Sequence, residues 1–180
     1  MKRAVDAEAA LEAIVAGDMV ALEWLYRELR VPVFAVALVI TADRGLAEDV
    51  LQETFLRVYT HARTYRPGSR PRACVVAIAR NLALDAVRAR RRELPDEKVA
   101  KATVPPVAVG DDQAVAGLMV TEALLALPAT ERQIVVLHAI VDLTHAEIAR
   151  ALGLPAGTVR WRYRVALGRL ETILEGSRHG

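Results

Sequence analysis

The residue whose number and spacing could do chemistry in this chain is arginine, and the chemistry is the binding of phosphate. From Arg57 to Arg92, arginine stands at 57, 63, 66, 70, 72, 80, 88, 90, 91 and 92, against a single acid, Asp85. So lopsided a stretch does not read as a mixed solvated surface; it reads as a track for a polyanion. A second group comprises Arg150, Arg160, Arg162, Arg164 and Arg169, with no Asp or Glu between Ile148 and Leu170. Other chemistry finds no foothold. There is no glycine-rich phosphate loop, no cluster of metal-ligating residues and no nucleophile with a base and an orienting partner, which argues against an enzyme and against a cofactor. His138 falls at helical spacing from Ile134 and Val141 and reads as a packing residue, while His145 has no second ligand nearby. One cysteine, Cys74, excludes an internal disulfide and a multi-cysteine metal site.

The second arginine group is positioned by LTHAEIARALGLPAGTVRWRYRVALGRL, residues 143–170. Thr144 and Glu147 form a capping box that starts a short helix. Ile148, Ala149 and Leu152 share its inner face, and Gly153 can end it in a left-handed conformation. Pro155 suits the first turn of a second helix. There Val159, Tyr163, Ala166 and Leu170 repeat at helical spacing, with Leu167 at the edge. At 3.6 residues per turn the opposite face centres on Trp161, beside Gly157, Arg164, Val165 and Gly168, with Arg160 and Arg162 flanking the core stripe. Two short helices, a glycine turn and a basic face read as a helix-turn-helix for a DNA major groove. The plainer alternative is a helical hairpin with solvated arginines.

The first group sits on a Pro-Gly loop, Tyr65 to Arg72, and a helix to about Arg92 whose inner face is Val75, Ile78, Ala79, Leu82, Ala86 and Ala89. A basic loop beside a basic helix suits single-stranded or unwound nucleic acid, although Tyr65 is the only stacking aromatic between Arg63 and Arg92. Before it, residues 46–62 form a helix with Leu46, Val50, Leu51, Thr54, Phe55, Val58 and Tyr59 on one face. Glu48, Asp49, Gln52, Glu53 and Leu56 lie on the other. That acidic face reads as solvated, or as a grip for a basic protein partner.

Upstream, Asp6 to Ala16 predicts a helix with Leu11, Ile14 and Val15 inward. Asp18 caps a second, with Val20, Leu22, Leu25, Tyr26 and Leu29 on its apolar face. Pro32 then resets the backbone and VPVFAVALVI makes a third helix, packed on most sides, with Trp24 and Phe34 as core aromatics. Downstream, residues 113–127 form a helix ended by Pro128, and Thr130 to Gln133 is a second capping box. Gly176 to Gly180 is a frayed tail.

Composition fits helices throughout. Hydrophobic residues are 53% and aromatics only 4%, so the cores are built of Ala, Val and Leu; net charge is a mere +2. At 180 residues, one or two domains are expected. Residues 95–112 lose the helical period, carry Pro95, Pro105 and Pro106, and are net acidic. They read as a flexible linker able to span about 60 Å when extended. The expected architecture is all-α: a domain over 1–94, the linker over 95–112 and a domain with the helix-turn-helix over 113–176. No apolar run is long enough for membrane insertion, and acidic residues interrupt the N-terminus where a signal peptide would be apolar. A cytoplasmic protein is expected.

Two stretches resemble one family. AEDVLQETFLRVY, RPGS and AIARNLALDAVRARRR are similar to the N-terminal domain of bacterial extracytoplasmic-function (ECF) RNA polymerase sigma factors. LPATERQIVVLHAIVDLTHAEIARALGLPAGTVRWRYRVALGRL is similar to their C-terminal domain. The resemblance covers about residues 8–172. It implies a protein with no catalytic site that binds core RNA polymerase and directs transcription from promoters with minus-10 and minus-35 elements. By position it implies polymerase docking at Asp49, Gln52, Glu53 and Leu56. It implies minus-10 recognition and strand opening at Tyr65, Arg66, Ser69, Arg70, Arg72, Arg80, Asn81, Asp85 and Arg88, with a flipped base held in the loop. It implies minus-35 reading at Pro155, Thr158, Arg160, Trp161, Arg162 and Arg164. An anti-sigma factor is a further partner of many relatives. The chain departs from the family pattern at Pro71, at Cys74 (where an aromatic, usually Trp, is common), at Trp161, and at Val165 and Leu167. The competing reading is a two-domain helix-turn-helix regulator that never touches polymerase; it leaves the acidic helix unexplained. A helical adaptor without nucleic acid is the third.

Overall fold

The computed structural model describes residues 6–64, 70–93 and 120–178, and every element in them is helical. Aspartates start the first three helices. Asp6 accepts from Ala9 N at 2.8 Å and opens α1 (Ala7–Val15). Asp18 accepts from Val20 N at 2.8 Å and Ala21 N at 3.3 Å and opens α2 (Met19–Thr41). Asp43 accepts from Leu46 N at 3.0 Å and opens α3 (Arg44–His61), which a 3-10 turn, Ala62–Thr64, extends. A carboxylate at this position satisfies helix amides that have no partner within the helix. α4 is Pro71–Glu93. A short helix α5 spans 120–126, and α6 (Ala129–Ala139), α7 (His145–Leu152) and α8 (Ala156–Arg178) complete the chain.

The helices form two domains. α2 packs on α1, α3 and α4, and α3 on α4; α6 packs on α8, and α7 on both. Asp43 also reaches across to α4, where Arg90 Nη1 lies 2.5 Å from its Oδ2. The Leu46 amide and then Arg90 hold its carboxyl below the usual carboxylate range. Glu131 on α6, almost fully buried, meets Arg169 of α8 at 2.5 Å. The two domains also touch, through α2 against α6, and one continuous core runs from Leu25, Val33 and Val36 to Ile134, Leu137 and Ile148.

Several expectations need correction. Pro32 does not separate two helices; it lies buried inside a continuous α2. Proline removes one helix hydrogen bond, but Val33, Val36, Ala37, Leu38 and Val39 are all buried around it, and that burial outweighs the lost bond. Val15 is 41% and Val20 73% exposed, so the inner faces of α1 and α2 are narrower than their apolar residues suggest. The second capping box is not used: α6 starts at Ala129 behind Pro128, without a side-chain cap, so Thr130 lies inside the helix rather than at its start. Gly176 to Arg178 continue α8 rather than fraying. The linker 95–112 and residues 113–119 lie outside the described residues.

Leu25 and Val20 share an apolar stripe in the sequence but not an environment. Leu25→Ala is expected to cost about 2–5 kcal/mol in urea denaturation, and Val20→Ala to stay within about 0.5 kcal/mol.

Candidate nucleic-acid interface

The helix-turn-helix is assembled as its sequence reads. Thr144 Oγ1 accepts from Glu147 N at 3.3 Å, and Glu147 Oε2 takes the Thr144 amide at 2.8 Å and its hydroxyl at 2.6 Å. Gly153 closes α7 at φ +66°, in the left-handed region that favours glycine, and Leu154 N returns to Ala149 O at 2.9 Å. Pro155 precedes α8 rather than opening it, and its carbonyl takes Val159 N at 3.1 Å. Val159 and Ala166 are fully buried, and Tyr163 and Leu170 are half-buried beside them.

The angle between α7 and α8 is filled by three rings. His138 of α6 and His145 of α7 stack with centroids 4.4 Å apart, and Tyr163 of α8 sets its edge to both, at 4.7 and 5.2 Å. His138 Nδ1 lies 2.8 Å from the Leu143 carbonyl, which can only accept, so that nitrogen carries the proton. His145 Nε2 is buried without a partner. The sequence placed His138 in packing and gave His145 no role. Their pairing was missed because they come together only when α6 and α7 fold back.

Opposite this core, Arg160, Trp161 and Arg164 are exposed, Trp161 by 60%. Arg162 is half-buried, and its guanidinium carbon sits 6.0 Å from the Trp161 ring centre, within cation–π range. Thr158 is half-buried and Pro155 exposed at the leading end. None of Arg160, Arg162 and Arg164 makes an ion pair among the described residues. The face therefore presents uncompensated positive charge around one large aromatic.

On α4, Asn81, Asp85 and Arg88 are exposed together, Asp85 and Arg88 being paired at 3.1 Å. Arg80 is turned partly inward; its Nε is buried without a partner, and burial, then the nearby Arg88 charge, lowers its pKa. Arg70 and Arg72 are exposed at the start of α4. Arg70 is not free: its Nη1 lies 2.5 Å from Oε1 of Glu147, in the other domain. Tyr65, Arg66 and Ser69 fall outside the described residues. Cys74 lines an apolar pocket of about 440 Å³ with Leu11, Val58, Ala62 and Ile78.

On α3, Asp49 and Gln52 are exposed, Leu56 is 56% exposed, and Glu53 is held by Arg57 at 2.8 Å. Beside them Met19, Leu22, Tyr26, Phe55, Leu56 and Tyr59 line a groove of about 400 Å³, in which Tyr26 meets Phe55 edge-on at 4.9 Å. The sequence reading turned Tyr26 and Tyr59 inward; both stay substantially exposed and line this groove rather than the core.

The ring cluster has a pH signature. Desolvation, then His138 and Arg160, lowers the His145 pKa. The folded state thus favours neutral His145, and the unfolded chain binds the proton more readily. The stability linked to this group is complete above the ordinary histidine value of about 6.5 and is lost as pH falls below it. Thermal melts from neutral to mildly acid pH should show that loss, and His145→Phe should flatten it.

Comparison with known proteins agrees with this geometry. The family model described as Sigma-70 region 2 matches residues 25–93, and that of Sigma-70, region 4 matches residues 117–170. The ECF RNA polymerase sigma factor SigL of Mycobacterium tuberculosis (strain H37Rv) is 31% identical over 175 residues, covering 96% of this chain and 93% of SigL. SigK of Mycobacterium bovis is 30% identical over 178 residues, covering 96% and 95%. Among solved structures, CnrH in complex with the cytosolic domain of CnrY has a similar fold, with a TM-score of 0.69 at 22% identity over 95% of this chain and 99% of that one. So does the sigma factor RpoE in complex with the anti-sigma factor NepR from Bartonella quintana, with 0.67 at 24% over 83% and 95%. Among the described residues no helix is long and apolar enough to cross a membrane. With both family regions matched in order and relatives 30–31% identical over more than 90% of each chain, the chain belongs to the sigma-70 family, as an ECF RNA polymerase sigma factor.

Proposed function

We propose that this sigma factor reads its promoter with two separate faces while a third holds core RNA polymerase. As a member of its family it directs promoter-specific transcription initiation. The observation that carries the residue-level reading is the outer face of the first turns of α8: no acid stands between Ala156 and Leu170, Arg160, Arg162 and Arg164 make no ion pair among the described residues, and an exposed tryptophan lies at the centre, behind a fully formed helix-turn-helix. In this reading Pro155, Thr158, Arg160, Trp161, Arg162 and Arg164 meet the minus-35 major groove. Trp161 packs on a thymine methyl, and the arginines hold flanking phosphates or guanines.

Arg70, Arg72, Arg80, Asn81, Asp85 and Arg88, with Tyr65, Arg66 and Ser69, take the minus-10 strand. Asp49, Gln52, Glu53 and Leu56 dock on polymerase, where the apolar groove beside Leu56 adds area to a carboxylate face. The working division is a domain over 1–94, a linker over 95–112 and a domain over 113–176. The protein acts in the cytoplasm, has no catalytic role, and is a fit partner for an anti-sigma factor, as the similarly folded RpoE of Bartonella quintana is for NepR.

Trp161→Ala tests the α8 reading. On a panel of minus-35 variants it should lose discrimination at one or two base pairs, each worth about 1–3 kcal/mol, with an unchanged melting temperature. Equal binding to every variant rules out the groove role. Asp49→Arg with Gln52→Ala should weaken binding in a titration with core enzyme while helical content stays intact; unaltered affinity removes polymerase from the α3 face. Arg88→Ala should reduce the salt slope of binding to a forked minus-10 template by about 0.7–0.9.

A further inference from the structure

The outer face of α8 carries a gap as well as a tryptophan. Gly157 lies one turn before Trp161 on the same face, and both are exposed. A helical side chain leans back over the turn before its own Cα, so the indole of Trp161 inclines toward Gly157. It does not fill the space there: a Cβ built on Gly157 would meet nothing within 4 Å. The fold does not require a glycine at this position. Its backbone is outside the left-handed region, and alanine is the better helix former. The missing side chain leaves a notch, floored by bare backbone and walled by an indole. We propose that this notch is a reader of pyrimidine C5-methyl groups: it takes the methyl of a minus-35 thymine, and takes that of 5-methylcytosine equally. The inference rests on the reading of Trp161 as a minus-35 groove contact and names the group that contact recognises.

The chemistry of the groove leaves an indole few partners. Base edges in the major groove present hydrogen-bond donors and acceptors, and the thymine methyl is the apolar exception. Trp161 is 60% exposed, and apart from one N–H that surface is apolar. The Arg162 guanidinium carbon lies over the ring, 6.0 Å from its centre, and Arg162 makes no ion pair among the described residues. That charge holds the indole by one π face, so the ring meets DNA already oriented, with its other face left for the base. Arg160 and Arg164, exposed on either side, supply the phosphate attraction that brings the base edge in. Thymine and 5-methylcytosine carry the methyl at the same ring position. They differ in the neighbouring group, an O4 acceptor against an N4 donor, and an apolar notch does not sense that difference. Cytosine methylation in a minus-35 element therefore adds a contact that plain cytosine lacks, and promoter methylation becomes a positive input to this sigma factor.

The test uses holoenzyme reconstituted from the full chain and core polymerase. The probe is the tightest duplex it selects from a pool randomised across the minus-35 element. Each thymine is replaced in turn by uracil, which removes the methyl and keeps every hydrogen-bonding group. At one position the wild-type chain should bind roughly fourfold more weakly, the worth of one buried methyl. Cytosine and 5-methylcytosine placed there, each paired with guanine, should differ by the same factor, the methylated duplex binding more tightly. Trp161→Ala should abolish both differences. So should Gly157→Ala, which fills the notch with a methyl of its own and leaves the melting temperature equal or higher. A uracil penalty that survives in either variant overturns the notch. Wild-type binding indifferent to uracil at every thymine overturns the methyl reading. If Trp161→Ala then alters base-pair discrimination, as an indole N–H donating to a base would make it do, the groove contact stands without the methyl; if it does not, the groove contact falls too.

Discussion

Val36, Ala37, Leu38 and Val39 point to four sides of one helix, and all four are buried. A helix apolar all round has to be enclosed, and this requirement arranges the molecule. α3 and α4 close one side of α2, and α6 of the other domain closes another. Each neighbour thereby has its outward face determined. α3 turns its carboxylates away from α2. α8, packed on α6, turns Arg160, Trp161 and Arg164 to solvent. The chain has few aromatics, so this enclosure is made of small aliphatic side chains, which bring helix axes close and leave little slack.

The net charge of +2 hides a sorting of arginines into two kinds. Arg27, Arg44 and Arg57 are each matched one turn earlier or later on their own helix, by Glu23, Glu48 and Glu53. Arg90 and Arg169 tie helices together through Asp43 and Glu131. Arg160, Arg162 and Arg164 are matched by nothing among the described residues and remain available to a polyanion. The arginine count of residues 57–92 therefore overstates the standing positive field, since Arg57, Arg70, Arg88 and Arg90 all have acidic partners. The exposed pairs, Arg57–Glu53 and Arg88–Asp85, contribute only about 0–1 kcal/mol each, so a phosphate can displace those carboxylates at small cost.

Much of this was legible in the sequence because it is local. Thr144 with Glu147, Gly153, and the Val159–Tyr163–Ala166 spacing specify a helix-turn-helix from within a short window, and Asp18 marks a helix start in the same way. The misses are non-local. Pro32 looks like a boundary until the packing around Val33 to Val39 is known. Thr130 and Gln133 look like a capping box, yet α6 begins at Ala129 behind Pro128 and takes Thr130 into the helix. Val20 and Leu25 have the same chemistry in the sequence, yet only Leu25 finds a neighbouring helix to cover it. The Glu147–Arg70 pair and the histidine stack depend on how helices distant in sequence meet, and no periodicity reports that. Of the candidate interface, the α8 face was readable from helical geometry, whereas the occupied state of Arg70 was not.

The chain has two tryptophans, one in each domain: Trp24 half-buried on α2 and Trp161 mostly in water on α8. Two indoles in such different surroundings emit differently. The α8 indole is open to collisional quenchers and the α2 indole is less accessible to them. The intrinsic fluorescence of the unlabelled protein therefore separates into a signal from α8 and an internal reference from the other domain. Any occupant of the α8 face writes itself into the first and leaves the second as the baseline.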